Sequence, residues 1–76
     1  MAVILGGNPS ISEKEKLYLQ DQLKTEQLCV TKCNVYSQQA QDPQIKNLVE
    51  NMRTACQRRV DTLNSVMGRF GISQPS

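Results

Sequence analysis

Apolar residues recur every three or four positions in two runs, which an Asp-Pro step at residues 42 and 43 separates. The first run follows one seam, broken by Glu26 and Ser37 and formed by Leu19, Leu23, Val30, Cys33 and Ala40, with Leu28, Cys29 and Tyr36 widening it. The second run consists of Ile45, Leu48, Val49, Met52, Ala55, Cys56, Val60, Leu63, Val66, Met67 and Phe70. This spacing predicts two amphipathic helices, over residues 12–41 and 43–70.

Residues that favour the first or last positions of a helix mark the ends of both predicted helices. Ser12 and Glu15 form a Ser-x-x-Glu capping box at the start of the first helix. Pro43 disfavours helical backbone at the residue before it, and Asp42 is a good N-cap for a helix whose first residue is proline. Gly71 is placed to end the second helix in a left-handed conformation, with Gly68 as an alternative stop. Residues 1–11 and 72–76 are expected to be tails.

The short connection at residue 42 predicts an antiparallel helical hairpin, and hence an all-α fold. Each helix is about 40–45 Å long, and its apolar face is broader than one partner helix covers. We therefore expect two copies to pair as a homodimer and complete a four-helix bundle. The expected dimer core consists of Leu19, Leu23, Val30, Met52, Leu63 and Met67.

A hairpin folded about residues 41–43 places residues whose numbers sum to about 85 at the same level. Glu26, on the inward seam, is then level with Arg59. Because an unpaired buried carboxylate is costly, we expect an ion pair between them, within the hairpin or across the dimer. The alternative, a remnant metal ligand, is disfavoured because one carboxylate cannot make a dinuclear site and because the arginine repels a cation.

The three cysteines, Cys29, Cys33 and Cys56, are an odd set at wide spacing. They fit neither a disulfide framework nor a zinc site, so reduced thiols acting as small buried hydrophobic groups are the favoured interpretation. The register also puts Cys29 level with Cys56, and a disulfide there depends on a Cα separation within about 7 Å. Cross-linking of a thiol into a larger assembly is the other alternative.

Charge and composition argue against several functional classes. The net charge of +2 is small, and Arg53, Arg58 and Arg59 have acidic neighbours, which favours a solvated helix face over nucleic-acid binding. The chain has no histidine, so a cysteine nucleophile lacks its usual base; we expect no enzyme activity, cofactor or metal. The apolar segment 1–5 is too short to span a membrane and does not resemble a secretory signal, which predicts synthesis in the cytosol.

Several motifs resemble, in order and spacing, the spore coat protein F-like family of endospore-forming bacteria. The segments that carry the resemblance are Lys14-Glu15-Lys16-Leu17, Leu23-Lys24-Thr25-Glu26, Asn34 ahead of Asp42-Pro43, and Met67 ahead of Gly71. They extend over residues 12–71. The resemblance implies a ferritin-like helical hairpin, a place in the spore coat, and other coat proteins as partners.

Two segments depart from the family pattern. Members often carry Glu or His in the middle of the second helix and end in Gly-Trp-Tyr, where this chain has Ala55-Cys56-Gln57-Arg58-Arg59 and Gly71-Ile72-Ser73. Ferritin-like iron chemistry needs Glu-x-x-His pairs in the bundle, so the resemblance implies no iron oxidation. The sequence thus predicts a non-enzymatic structural protein of the spore coat; the alternative is an adaptor module that docks on another helical protein.

Overall fold

The computed structural model describes residues 11–73 of the chain. Helix α1 spans Glu13–Gln39 and helix α2 spans Pro43–Arg69, and the two pack against each other. No strand occurs within residues 11–73, so the prediction of an all-helical chain with two packed helices is confirmed. Most of the predicted N-terminal tail and residues 74–76 lie outside the described range.

The predicted capping box begins α1. The Ser12 hydroxyl accepts a hydrogen bond from the Glu15 amide at 3.1 Å, and the Glu15 carboxylate accepts one from the Ser12 amide at 3.0 Å. The Ser12 hydroxyl also donates to the Glu15 carboxylate at 3.0 Å, and the hydrogen bonds that this carboxylate accepts from Ser12, the backbone one foremost, lower the pKa of Glu15. The helix ends at Gln39, two residues before its predicted end, because Ala40 turns to an extended backbone while its amide still donates to the Tyr36 carbonyl.

Helix α2 begins as the Asp-Pro pair predicts and ends at a Schellman motif. The Asp42 carboxylate accepts from the Gln44 amide at 2.8 Å. At the other end Gly71 has φ +66°, and the Ile72 amide donates to the Met67 carbonyl at 2.9 Å. The chain stays packed beyond Gly71, since Ile72 lies against the core and the Ser73 carbonyl accepts from Gln20 at 3.0 Å. Residues 72 and 73 of the predicted C-terminal tail therefore contact the hairpin.

The hydrophobic core lies in the half of the hairpin remote from the turn. Leu23, Val60 and Met67 form its centre, and they are enclosed by Leu19, Val30, Leu63 and Ile72. Near the turn the predicted inward positions Ile45 and Leu48 are exposed instead. There the buried Ser37 hydroxyl donates to the Glu50 carboxylate at 3.0 Å, so the break in the apolar seam at Ser37 is filled by a polar contact between the helices.

Candidate functional site: an apolar groove beside a disulfide

A groove of about 310 Å³ runs between the two helices on one side of the hairpin. Helix α1 contributes most of its lining and α2 the remainder, the residues being Thr25, Leu28, Cys29, Lys32, Cys33, Tyr36, Val49 and Met52. Leu28, Tyr36 and Met52 are each about half exposed, although all three are large and apolar or aromatic. The groove is therefore an apolar surface that the hairpin itself leaves uncovered.

A second depression continues the groove toward the chain termini. It is lined by Tyr18, Gln22, Glu26, Arg59, Thr62 and Leu63. Six of the nine lining positions in α1, namely 18, 22, 25, 29, 32 and 36, are spaced by four and three, which places them along one side of the helix. We call this side, with its α2 counterpart from Met52 to Leu63, the groove face.

Apolar exposure extends along α2 beyond the groove. Ile45 and Leu48 lie seven and four residues before Met52, and both are about half exposed. Positions at this spacing share one side of a helix. Together with the groove face they make a continuous apolar surface near the turn, of the kind that marks a protein interaction site.

The residues of the predicted dimer core divide into two groups. Leu23 and Met67 are almost completely buried within one hairpin, so they have no surface left for a partner. Leu19, Val30 and Leu63 are half-buried around them. Met52 is the one residue of the six that is about half exposed, and Tyr18 and Tyr36, which also line the groove face, are exposed as well although neither belongs to the predicted dimer core.

The structure brings Glu26 and Arg59 together within one hairpin. Glu26 is buried, and the Arg59 Nε donates to its Oε1 at 3.0 Å. Gln22, one turn earlier in α1, donates to Oε2 at 3.1 Å. The hydrogen bond from Arg59 is the main cause that lowers the pKa of Glu26, outweighing the burial that raises it, and Gln22 and the arginine's charge add to the lowering. Both carboxylate oxygens are thus satisfied in the charged form.

Arg59→Leu is expected to reduce the free energy of unfolding by about 1–2 kcal/mol, because it leaves a buried carboxylate without its main donor. The value stays below that of a fully buried pair since the Arg59 side chain is 56% exposed. Thermal melts at fixed chain concentration measure it. The double variant Glu26→Leu/Arg59→Leu should regain stability, while Arg58→Leu, one residue away and remote from Glu26, is the matched control. Equal melts for Arg59→Leu and the control would contradict a stabilising pair.

Cys29 and Cys56 form a disulfide that joins α1 to α2, with their Cα atoms 6.2 Å apart. This corrects the favoured interpretation of three reduced thiols. The register placed these two residues level, but numbering along two helices does not show which way each Cβ points, and that direction decides bonding. Cys33 is the free cysteine of the three; it is buried and lines the groove one turn from Cys29.

The sequence also raised the possibilities of a basic patch, a metal site and a membrane-spanning segment. Arg53 and Arg58 line a separate polar depression with Asp61, so they do not join Arg59 in one basic patch. Across residues 11–73 no group of three or more acidic or cysteine side chains is arranged to hold a metal ion. Neither helix in that range carries an apolar stretch long enough for a bilayer crossing.

The geometry leaves two features to explain: an uncovered apolar face that spans both helices and a disulfide at its edge. Comparison of the chain with protein-family models, with curated proteins and with solved structures finds no match.

Proposed function

We propose that the chain is a non-enzymatic structural protein of the spore coat that works as a homodimer, two hairpins pairing through their groove faces into a four-helix bundle. The observation that carries the assembly is the exposed apolar surface on the groove face, where Leu28, Tyr36 and Met52 stay about half uncovered. Burying such side chains against a partner removes apolar area from water and stabilises the pair.

A second copy suits this face for two further reasons. The face follows both helices, so a two-fold axis brings the same residues of each copy together, as in an isologous dimer. Its charge is also low. Lys32 stands at the groove, while Glu26 and Arg59 neutralise each other within the hairpin, so two copies approach without concentrated like charge.

The coat setting rests on the family resemblance of residues 12–71. Several glutamines, among them Gln27, Gln38 and Gln57, are exposed outside the groove, and a helical dimer with such a surface would supply a rigid unit for lateral packing in a protein shell. Fractionation of spores that express an epitope-tagged chain tests this setting, with the chain expected in the coat fraction. Recovery of the tag only from the cytosol of vegetative cells would contradict a coat role without touching the dimer.

Met52→Lys is expected to convert the dimer to a monomer, because it places a charge in the apolar surface that the partner covers. Light scattering after size exclusion, over a series of micromolar concentrations, measures the mass. Val35→Lys is the matched control: Val35 is 46% exposed against 49% for Met52, but it does not line the groove. The control should keep the mass of two chains, and circular dichroism should show equal helix content in all three proteins.

A parent chain that runs as a well-ordered monomer at these concentrations would refute the homodimer. If that monomer then bound an amphipathic helix of a coat protein and lost the binding in Met52→Lys, the groove would serve the adaptor function instead.

A further inference from the structure

The two cysteines of the disulfide differ in their exposure to solvent. Cys56 is 2% exposed and does not line the groove, while Cys29 is only half-buried and does line it. Thiol–disulfide exchange proceeds by attack of a thiolate on one sulfur, and access decides which sulfur is attacked. An incoming thiol therefore reaches the disulfide from the groove, at Cys29.

The sulfur that must leave in that reaction has a cation beside it. The Arg59 Nη2 donates to the Cys56 Sγ at 3.3 Å, while Nε of the same guanidinium is held by Glu26. A nearby arginine stabilises a thiolate relative to the thiol, and a more stable thiolate is a better leaving group. Attack at Cys29 thus releases Cys56 Sγ as a thiolate, and the Arg59 guanidinium beside it stabilises the negative charge.

We propose that the Cys29–Cys56 disulfide is a thiol-exchange site at which an external thiol becomes attached to Cys29. The thiolate of the incoming molecule bonds to Cys29 Sγ, the bond between the two cysteines breaks, and its electron pair goes to Cys56 Sγ. The products are one mixed disulfide on Cys29 and one thiolate on Cys56 beside Arg59. One disulfide is consumed and one is formed, so no further oxidant or reductant takes part.

Two sources could provide the thiol, and they share this chemistry: a low-molecular-weight thiol, or Cys29 of a reduced second copy. The second source rests on the proposed dimer, in which the groove faces meet. Cys29 and Cys56 lie near the middle of α1 and α2, respectively, so they fall close to the centre of such an interface. The first source needs no dimer at all.

The test uses the full-length oxidised chain carrying Cys33→Ser, so that a single disulfide can form. It is treated briefly with reduced glutathione, quenched with acid, blocked with N-ethylmaleimide and digested with trypsin, which separates the two cysteines because Lys32, Lys46 and Arg53 lie between them. Glutathione is expected on Cys29 and maleimide on Cys56, with at least about a tenfold excess over the reverse pattern. Equal labelling, or glutathione mainly on Cys56, would overturn the proposal.

The part assigned to Arg59 is tested by the rate of the same reaction. Arg59→Gln should slow glutathione attachment at Cys29 by about threefold, because the departing sulfur loses its cation. Glu26→Gln is the control, since it removes the ion pair but keeps the arginine beside Cys56. A rate in Arg59→Gln equal to that of the control would overturn the role of the guanidinium.

The second source is tested by mixing the oxidised chain with its reduced form and separating the products by non-reducing electrophoresis. A covalent dimer joined through Cys29 of each copy is expected and should be absent in Met52→Lys. Glutathione attachment at Cys29 without any covalent dimer would establish exchange and count against pairing through the groove face, so the two proposals fail separately.

Discussion

Replacing Leu23 with Ala is expected to lower the free energy of unfolding by about 3 kcal/mol, within the range of about 2–5 found for buried leucines. Leu23 has no exposed surface and stands at the centre of the cluster with Val60 and Met67. A two-helix chain has few neighbouring side chains to move into the resulting cavity. Because the described residues bury so few large apolar groups, this one change should leave much of the chain unfolded at room temperature.

Urea unfolding followed by circular dichroism measures the change, with every variant at the same chain concentration because the proposed dimerisation would stabilise the fold by mass action. Leu17→Ala is the matched control: it makes the same replacement in the same helix at a side chain that is 58% exposed. Surface changes of this kind usually stay within about 0.5 kcal/mol. A penalty at Leu23 no larger than that at Leu17 would show that the cluster is not the stabilising core.

Local signals in the sequence predicted the ends of the helices well. The Ser12 capping box and the Asp42-Pro43 step each act through contacts only a few residues apart, so the sequence contains both partners of every interaction. Gly71 belongs to the same class, since its left-handed backbone depends on its own lack of a side chain. Such features need no knowledge of the tertiary arrangement.

The position of the turn alone predicted which residues of the two helices lie at the same height along the hairpin. Glu26 lies beside Arg59 and Cys29 beside Cys56, and the numbers in each pair sum to 85. Levels, however, fix only the position along the helix axes. Whether two level residues face one another depends on how each helix is rotated, which a broad apolar face leaves open.

The rotation of each helix about its own axis decides which residues face inward, and the sequence did not predict it. Helix α2 turns Cys56, Val60 and Met67 inward and leaves Ile45, Leu48 and Met52 at the surface, although all six belong to the same apolar face. The disulfide and the groove both result from this choice. The groove lining also includes Lys32 and Thr25, polar residues that no hydrophobic pattern singles out.

Removing the disulfide is expected to lower the free energy of unfolding by about 3 kcal/mol. The bond joins positions 27 residues apart, and closing a loop of that length restricts the unfolded chain by about 3–4 kcal/mol in the chain-entropy description. The comparison is made in Cys33→Ser, oxidised against reduced, by the midpoint of urea unfolding. Most of the difference in the free energy of unfolding should appear as a lower urea concentration at the midpoint. The reduced hairpin should still fold, and its two released thiols should remain close together.

A direct effect of the reducing agent on the fold must be separated from loss of the bond. The variant Cys29→Ala/Cys56→Ala, made on the same Cys33→Ser chain, serves this purpose, because it has no disulfide to reduce and should show one midpoint with and without reductant. That midpoint should lie near the value of the reduced parent, since alanine removes the cross-link but keeps a small apolar group at both positions. If oxidised parent, reduced parent and alanine variant all unfolded at the same urea concentration, the bond between α1 and α2 would be stabilising nothing. The hairpin would then owe its stability to the Leu23 cluster rather than to the cross-link.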